Sequence, residues 1–169
     1  MQRVLVLGSS GSGKSTFARQ LGKILDIEVI HLDSYFWNPY WIETSADLWE
    51  QKLTHLLEKE SWVMDGNYTS SLERRLAYAD TVIFLDLSRA RCFWRVLGRY
   101  LKHRGVNRPE LPEGCNEKID LDFIKWIWNY PNRSHKRIMQ ILDHQPKAKV
   151  RILKGSAQIE AFIEKMQWL

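Results

Sequence analysis

Apolar residues fall into two alternating spacings along this chain. Arg3–Leu7 (RVLVL), Glu28–Leu32, Trp62–Met64, Thr81–Leu87 (TVIFLDL) and Lys149–Leu153 are short, largely continuous apolar runs, and predict five strands. Between them, apolar positions recur three and four apart. Lys14–Leu25 carries Phe17, Ala18, Leu21, Ile24 and Leu25 at helical spacing. A second helix follows Thr44, with Leu48, Trp49, Leu53, Leu56 and Leu57 on one face. A short one ends at Tyr78, and a long one after Ser88 carries Phe93, Val96, Leu97, Tyr100 and Leu101. Thr44 with Asp47, Ser70 with Glu73, and Ser88 read as caps. A helical stretch from about Ile119 to His144 meets Pro131, which predicts a kink or two helices. Ser156–Gln167 predicts a closing helix.

Strands that are apolar throughout and alternate with helices predict an α/β fold. Its parallel sheet would be covered on both faces, within one domain spanning 1–169. Residues 104–118 hold glycines, prolines and mixed charges, and predict a loop.

Charge changes the picture locally. The net charge is +5, which favours anionic partners. From Ser88 to Arg108 the chain has Arg89, Arg91, Arg95, Arg99, Lys102, Arg104 and Arg108, and no acid. Cys92 and Cys115 match no metal or redox spacing, and read as reduced thiols. The apolar run after Met1 is too short for a signal segment or a membrane span. A soluble, cytoplasmic protein is the expectation.

The chemistry is announced by Gly8-Ser9-Ser10-Gly11-Ser12-Gly13-Lys14-Ser15, which fits G-x-x-x-x-G-K-[ST] at every fixed position. It follows the first strand and opens a helix, as its physics requires. Glycines let the backbone curl so that N–H groups converge on phosphate oxygens. The helix N-terminus adds partial positive charge. Lys14 would meet the β- and γ-phosphates, and the Ser15 hydroxyl would ligate Mg²⁺. A nucleoside triphosphate, ATP, with Mg²⁺ is the expected ligand. A second metal anchor is needed at a strand end, and Asp65 and Asp86 are both candidates.

With Thr16 added, the loop GSSGSGKST resembles that of P-loop kinases of small molecules, of the adenylate-kinase and shikimate-kinase type. The resemblance implies a three-layer P-loop NTPase sandwich, a five-stranded sheet of order 2-3-1-4-5, and a helical lid over 104–118. Asp65-Gly66 resembles the Asp-Gly that serves the metal in adenylate kinases, and favours Asp65. Arg95-x-x-Gly-Arg99 is similar to a stretch that contacts the nucleotide there. Arg133 and Arg137 resemble the arginines that follow the lid. The combination HLDSYFWNPYW, WVMDGNY, TVIFLDL and KWIWNYPNR resembles the bacterial DNA topology modulation (FlaR-related) proteins, which implies a link to DNA. The chain departs from adenylate kinases after Gly66. It has Asn67-Tyr68-Thr69 where they have Phe-Pro-Arg, so the arginine that grips the acceptor phosphate has no counterpart there.

The arginines also stand on chemical grounds. Phosphoryl transfer is mostly positioning and charge stabilisation. Arg95 and Arg99 are four apart and share a helix face, and Arg133 and Arg137 repeat that spacing. Asp33 follows the second strand, resembles the shikimate-kinase acid that holds the acceptor hydroxyl, and could accept its proton. Tyr35, Phe36, Trp37, Tyr40 and Trp41 come within seven positions of one another. Tyr35, Trp37 and Trp41 would wall an acceptor pocket, with Asn67 and Tyr68 adding polar contacts. His31 reads as a packed strand residue. Two functions compete. One is an ATP- and Mg²⁺-dependent kinase of an unidentified small molecule or nucleotide. The other is an ATP-binding regulator that contacts DNA through its basic helix.

Overall fold

The computed structural model describes residues 1–102, 111–115, 120–144 and 147–168. The chain runs β1 (Arg3–Gly8), α1 (Lys14–Leu25), β2 (Val29–His31), α2 (Leu32–Phe36), β3 (Trp37–Asn38), β4 (Ile42–Glu43) and α3 (Ala46–Glu58). It continues through β5 (Trp62–Asp65), α4 (Leu72–Tyr78), β6 (Thr81–Asp86) and α5 (Arg89–Lys102). After α5 come α6 (Leu121–Trp128), α7 (Lys136–Asp143), β7 (Lys149–Lys154) and α8 (Ser156–Met166). The main sheet has the order β2-β5-β1-β6-β7 with every pairing parallel, which is the predicted order of the five expected strands.

Burial on both faces explains why the strands are apolar throughout. On β1, Leu5 and Leu7 join a core with Trp49, Leu53 and Leu57 of α3, Leu72 of α4 and Ile138 of α7. Val4 and Val6 point the other way, into a core with Phe17 and Leu21 of α1, Val96 of α5 and Ile163 of α8. The strand's two-residue period thus feeds two cores from one run. Every strand of the main sheet ends on the edge that carries the phosphate loop.

Several local expectations change. Thr44 does not cap α3. Its hydroxyl donates to the Tyr35 carbonyl (3.2 Å) and accepts from Asn38 (3.2 Å), so it fastens the preceding loop instead. No side-chain cap bond forms at Ser70–Glu73, because a 3₁₀ turn over Thr69–Ser71 occupies the helix entry. Ser88 does cap α5, through Arg91 N–H (3.4 Å). At Pro131 the helix is interrupted by a π turn over Pro131–His135, joining α6 to α7. Proline lacks the N–H that a continuing helix needs. Residues 104–110 and 116–118 of the expected lid lie outside the described residues, and with them Arg104 and Arg108.

Asp80 fastens the start of β1 to β6. Its carboxylate accepts from Gln2 N–H (2.6 Å), Arg3 N–H (2.9 Å) and the Thr81 hydroxyl (2.6 Å). Burial pushes its pKa up, but these donors outweigh it and hold the group below its ordinary value. Its stabilising contribution is therefore complete above the unfolded carboxylate range and lost as pH falls through the lower folded value. Asp80→Asn is expected to destabilise the protein at pH 7 by about 1 kcal/mol, discounted for partial exposure. Thermal melts should show that deficit shrinking below about pH 4.

Candidate active site

The phosphate loop needs its glycines. Gly8, Gly11 and Gly13 have φ of 148°, 79° and 94°, in the region that favours residues without a Cβ. A side chain on Gly11 would strike the Cys92 carbonyl, and one on Gly8 would reach the Leu85 carbonyl at 2.7 Å. The loop therefore nests against β6 and α5. Ser12 N–H donates to Ser9 O (3.1 Å), and α1 begins at once with Lys14. Lys14 Nζ donates to Ser9 O (3.0 Å) across the loop mouth. Desolvation lowers its pKa, while Asp65 and Asp33 both pull it up. Thr16 faces outward on α1, where its hydroxyl meets Arg19 (3.5 Å).

Asp65 ends β5 beside that lysine. Its Oδ2 meets His31 Nδ1 at 3.0 Å, across a register that pairs the two residues directly. Its Oδ1 is buried with no hydrogen-bond partner. Burial pushes the Asp65 pKa up, yet the His31 bond, the Lys14 charge and the Ser15 hydroxyl hold it below the usual carboxylate range. A buried carboxylate oxygen without a donor, close to a serine hydroxyl, suits a hard cation with oxygen ligands. Ser15 and Asp65 thus fit the predicted Mg²⁺ pair. Asp86 is placed otherwise. It pairs with His135 Nε2 (3.3 Å) and lines a cavity of about 360 Å³ with Ser9, Tyr130 and Lys154. His31 is the packed strand residue expected, and its bond to Asp65 is an addition to that reading. Both residues sit at strand ends, which was the available signal.

The loop after β5 joins the two halves of the site. Asn67 Oδ1 accepts from Gly8 N–H (3.1 Å), and its Nδ2 donates to Gly8 O (2.8 Å). Its side chain is thus committed to the phosphate loop and not to an acceptor. Tyr68 has φ 26° and ψ 69°, an uncommon conformation for a non-glycine residue. Its hydroxyl donates to Asp33 Oδ1 (2.7 Å). Burial and the Asp33 charge raise the Tyr68 pKa, so the phenol remains a donor. Arg75, which sequence reasoning missed, holds this loop. Its relative exposure is 0%. It donates to Gly66 O (2.9 Å), Tyr68 O (3.0 Å) and Asn67 O. Desolvation lowers its pKa to about 9, with Tyr68 and Asp65 acting in the opposite sense, and it stays charged at neutral pH.

The aromatic stretch folds as an antiparallel hairpin of β3 and β4, which the five-strand expectation did not include. Tyr40 and Trp41, at its tip, have φ of 65° and 63°. Phe36 packs edge-on against Trp49 (5.2 Å) and Trp37 (5.0 Å), facing the core. Trp37 meets Trp41 edge-on at 5.4 Å. Tyr35 is half-buried against the same core, and its carbonyl accepts from Lys52 (3.0 Å). Exposed Asp33 stands on α2 beside this group. Of the expected lid, Gly114 lies against Tyr40, and Cys115 Sγ donates to Asn38 O (3.3 Å).

The arginines divide. Arg95 donates to Ser12 O (3.2 Å) and to the Ser156 hydroxyl (3.3 Å), linking the phosphate loop to the turn after β7. Arg99 is close enough to lower the Lys14 pKa. Arg133 lies within the π turn over Pro131–His135 and Arg137 follows it, and the two meet different neighbours. Arg133 stacks over Trp126 at 4.3 Å, while Arg137 lines a separate groove with Glu73 and His144.

No family model and no curated protein matches this chain. Among solved structures, the shikimate kinase of Bacteroides thetaiotaomicron aligns over 99% of this chain and 97% of its own, at 19% identity and TM-score 0.56. The shikimate kinase of Acinetobacter baumannii in complex with shikimate aligns over 98% and 90%, at 14% identity and TM-score 0.59. The chain shares the α/β fold of these two structures. No described helix is long and apolar enough to cross a membrane.

Asn67→Ala would leave the N–H and C=O of Gly8 unpaired. A cost of about 2 kcal/mol is expected, from unsatisfied buried groups. ATP should raise the variant's melting temperature far less than the parent's. An unchanged ATP-dependent rise would remove Asn67 from the phosphate site.

Proposed function

We propose that the protein is an ATP- and Mg²⁺-dependent kinase of a small molecule. One observation carries this reading: Lys14 spans the glycine loop to Ser9 O (3.0 Å), at the strand edge where Asp65 presents a buried, unpartnered Oδ1 and Asp33 stands exposed. A γ-phosphate drawn to that lysine would lie between a metal anchor and a carboxylate free to handle an alcohol.

Ser15 and Asp65 would hold Mg²⁺, which supplies charge neutralisation at the phosphates. Loop amides and Lys14 bind the triphosphate, and Arg99 adds charge beside it. Arg95 holds the loop against the Ser156 turn, where the rest of the nucleotide would lie. The acceptor hydroxyl attacks the γ-phosphorus as its proton passes to Asp33. The new O–P bond forms as the bond to the bridging oxygen breaks, and ADP leaves. Tyr68 orients Asp33 through Oδ1, which leaves Oδ2 for the acceptor. Arg133 and Arg137 have no support here as phosphate ligands.

The DNA-contacting regulator has weaker support. Its basic helix spends Arg91 and Arg95 on Ser156, and Arg89 on the face of Trp128 (4.5 Å).

Transfer of labelled γ-phosphate from ATP to pools of small hydroxyl compounds tests the reading, with Lys14→Ala as control. Asp33→Asn should lower transfer roughly 10²–10⁴-fold and leave ATP affinity nearly unchanged. Turnover unaffected by that substitution would remove Asp33 from the mechanism.

A further inference from the structure

We infer that the acceptor is an uncharged alcohol with a flat or apolar face, not a phosphate ester or a carboxylate. The inference rests on the kinase reading and names the substrate class of that site. Its basis is a charge imbalance confined to the acceptor side. The segments that build this side, 32–58 and 65–78, hold three Arg/Lys against seven Asp/Glu, in a chain of net charge +5.

Each of those three cations is already engaged. Lys52 donates to Tyr35 O (3.0 Å) and meets the Thr44 hydroxyl (3.5 Å). Arg74 is paired with Glu50 and bonded to Thr54 (2.5 Å). Arg75 is fully buried on the carbonyls of Gly66, Asn67 and Tyr68. It cannot reach a ligand without releasing the loop that holds Asn67 on Gly8. Lys14 belongs to the donor phosphates.

Among the described residues of these segments, that leaves a carboxylate and aromatic rings to meet an acceptor. Asp33 is exposed, with Oδ1 taken by Tyr68. Trp37 and Trp41 are half-buried, so each keeps some ring surface for an apolar face. An anionic group about 5 Å from Asp33 would meet repulsion worth roughly tenfold to 100-fold in affinity at an effective dielectric near 20, softened by solvent. A neutral hydroxyl donates to Asp33 without that penalty.

Matched pairs test this with the full chain and Mg-ATP: a nucleoside against its 5′-monophosphate, and a neutral ring polyol against the same ring bearing a carboxylate. Both γ-phosphate transfer and quenching of tryptophan fluorescence are read. The neutral member is expected to bind or react at least tenfold better in one pair, and Asp33→Asn should narrow that gap in the quenching arm. Preference for the charged member overturns the inference and leaves the kinase reading standing. Selective quenching by the neutral member without transfer supports the pocket's selectivity and counts against the kinase. Equal behaviour within every pair, or a gap that Asp33→Asn leaves intact, overturns the inference.

Discussion

A guanidinium buried without a carboxylate bonded to it shapes this site. Removing such a charge from water is costly unless its donors are satisfied. Arg75 meets most of that demand: its two Nη groups donate to the carbonyls of Gly66, Asn67 and Tyr68, and its Nε is left without a partner among the described residues. Those three residues follow Asp65 directly. Asn67 reaches back to Gly8, where the phosphate loop begins, and Tyr68 reaches across to Asp33. Asp65, the loop entry and Asp33 are thus linked through one short segment. Its strained Tyr68 backbone fits such a constraint, since an unfavourable conformation persists only where surrounding contacts over-determine it.

The sheet order then separates two electrostatic regions. The β6–β7 side of the phosphate loop meets the basic helix α5, with Arg95 on the loop backbone and Arg99 near Lys14. On the β2–β5 side stand Asp33, Asp65 and the aromatic hairpin. Lys14 lies at the boundary, its charge coupled to both acids. On the proposed kinase reading, the first region would take the polyanionic donor and the second the hydroxyl compound. The same topology that buries both strand faces places this boundary at the strand ends, as parallel α/β folds do.

Much of this was legible in the sequence. Continuous apolar runs disclosed the strands, because burial on both faces leaves no polar alternation to obscure them. The phosphate loop was legible because its glycines, lysine and serine have fixed spacing. Asp65 could be told from Asp86 only through resemblance, and the geometry now separates them by their partners, His31 and His135. The hairpin was hidden, since its strands are two residues each and its tip depends on positive φ at Tyr40 and Trp41. Arg75 was hidden too. An arginine ten positions after Asp65 reads as surface charge until the fold shows what surrounds it. The stacking of Arg133 on Trp126 was hidden as well, since the two are seven positions apart across the break at Pro131.

The most direct test of this account is amide hydrogen exchange on the full protein, with and without Mg-ATP. If the Arg75-held segment joins the donor and acceptor sides, ATP should slow exchange in residues 8–16 and, in the same titration, at 66–69 and around Asp33. Protection confined to 8–16, with the other two segments unchanged at saturating ATP, would contradict it.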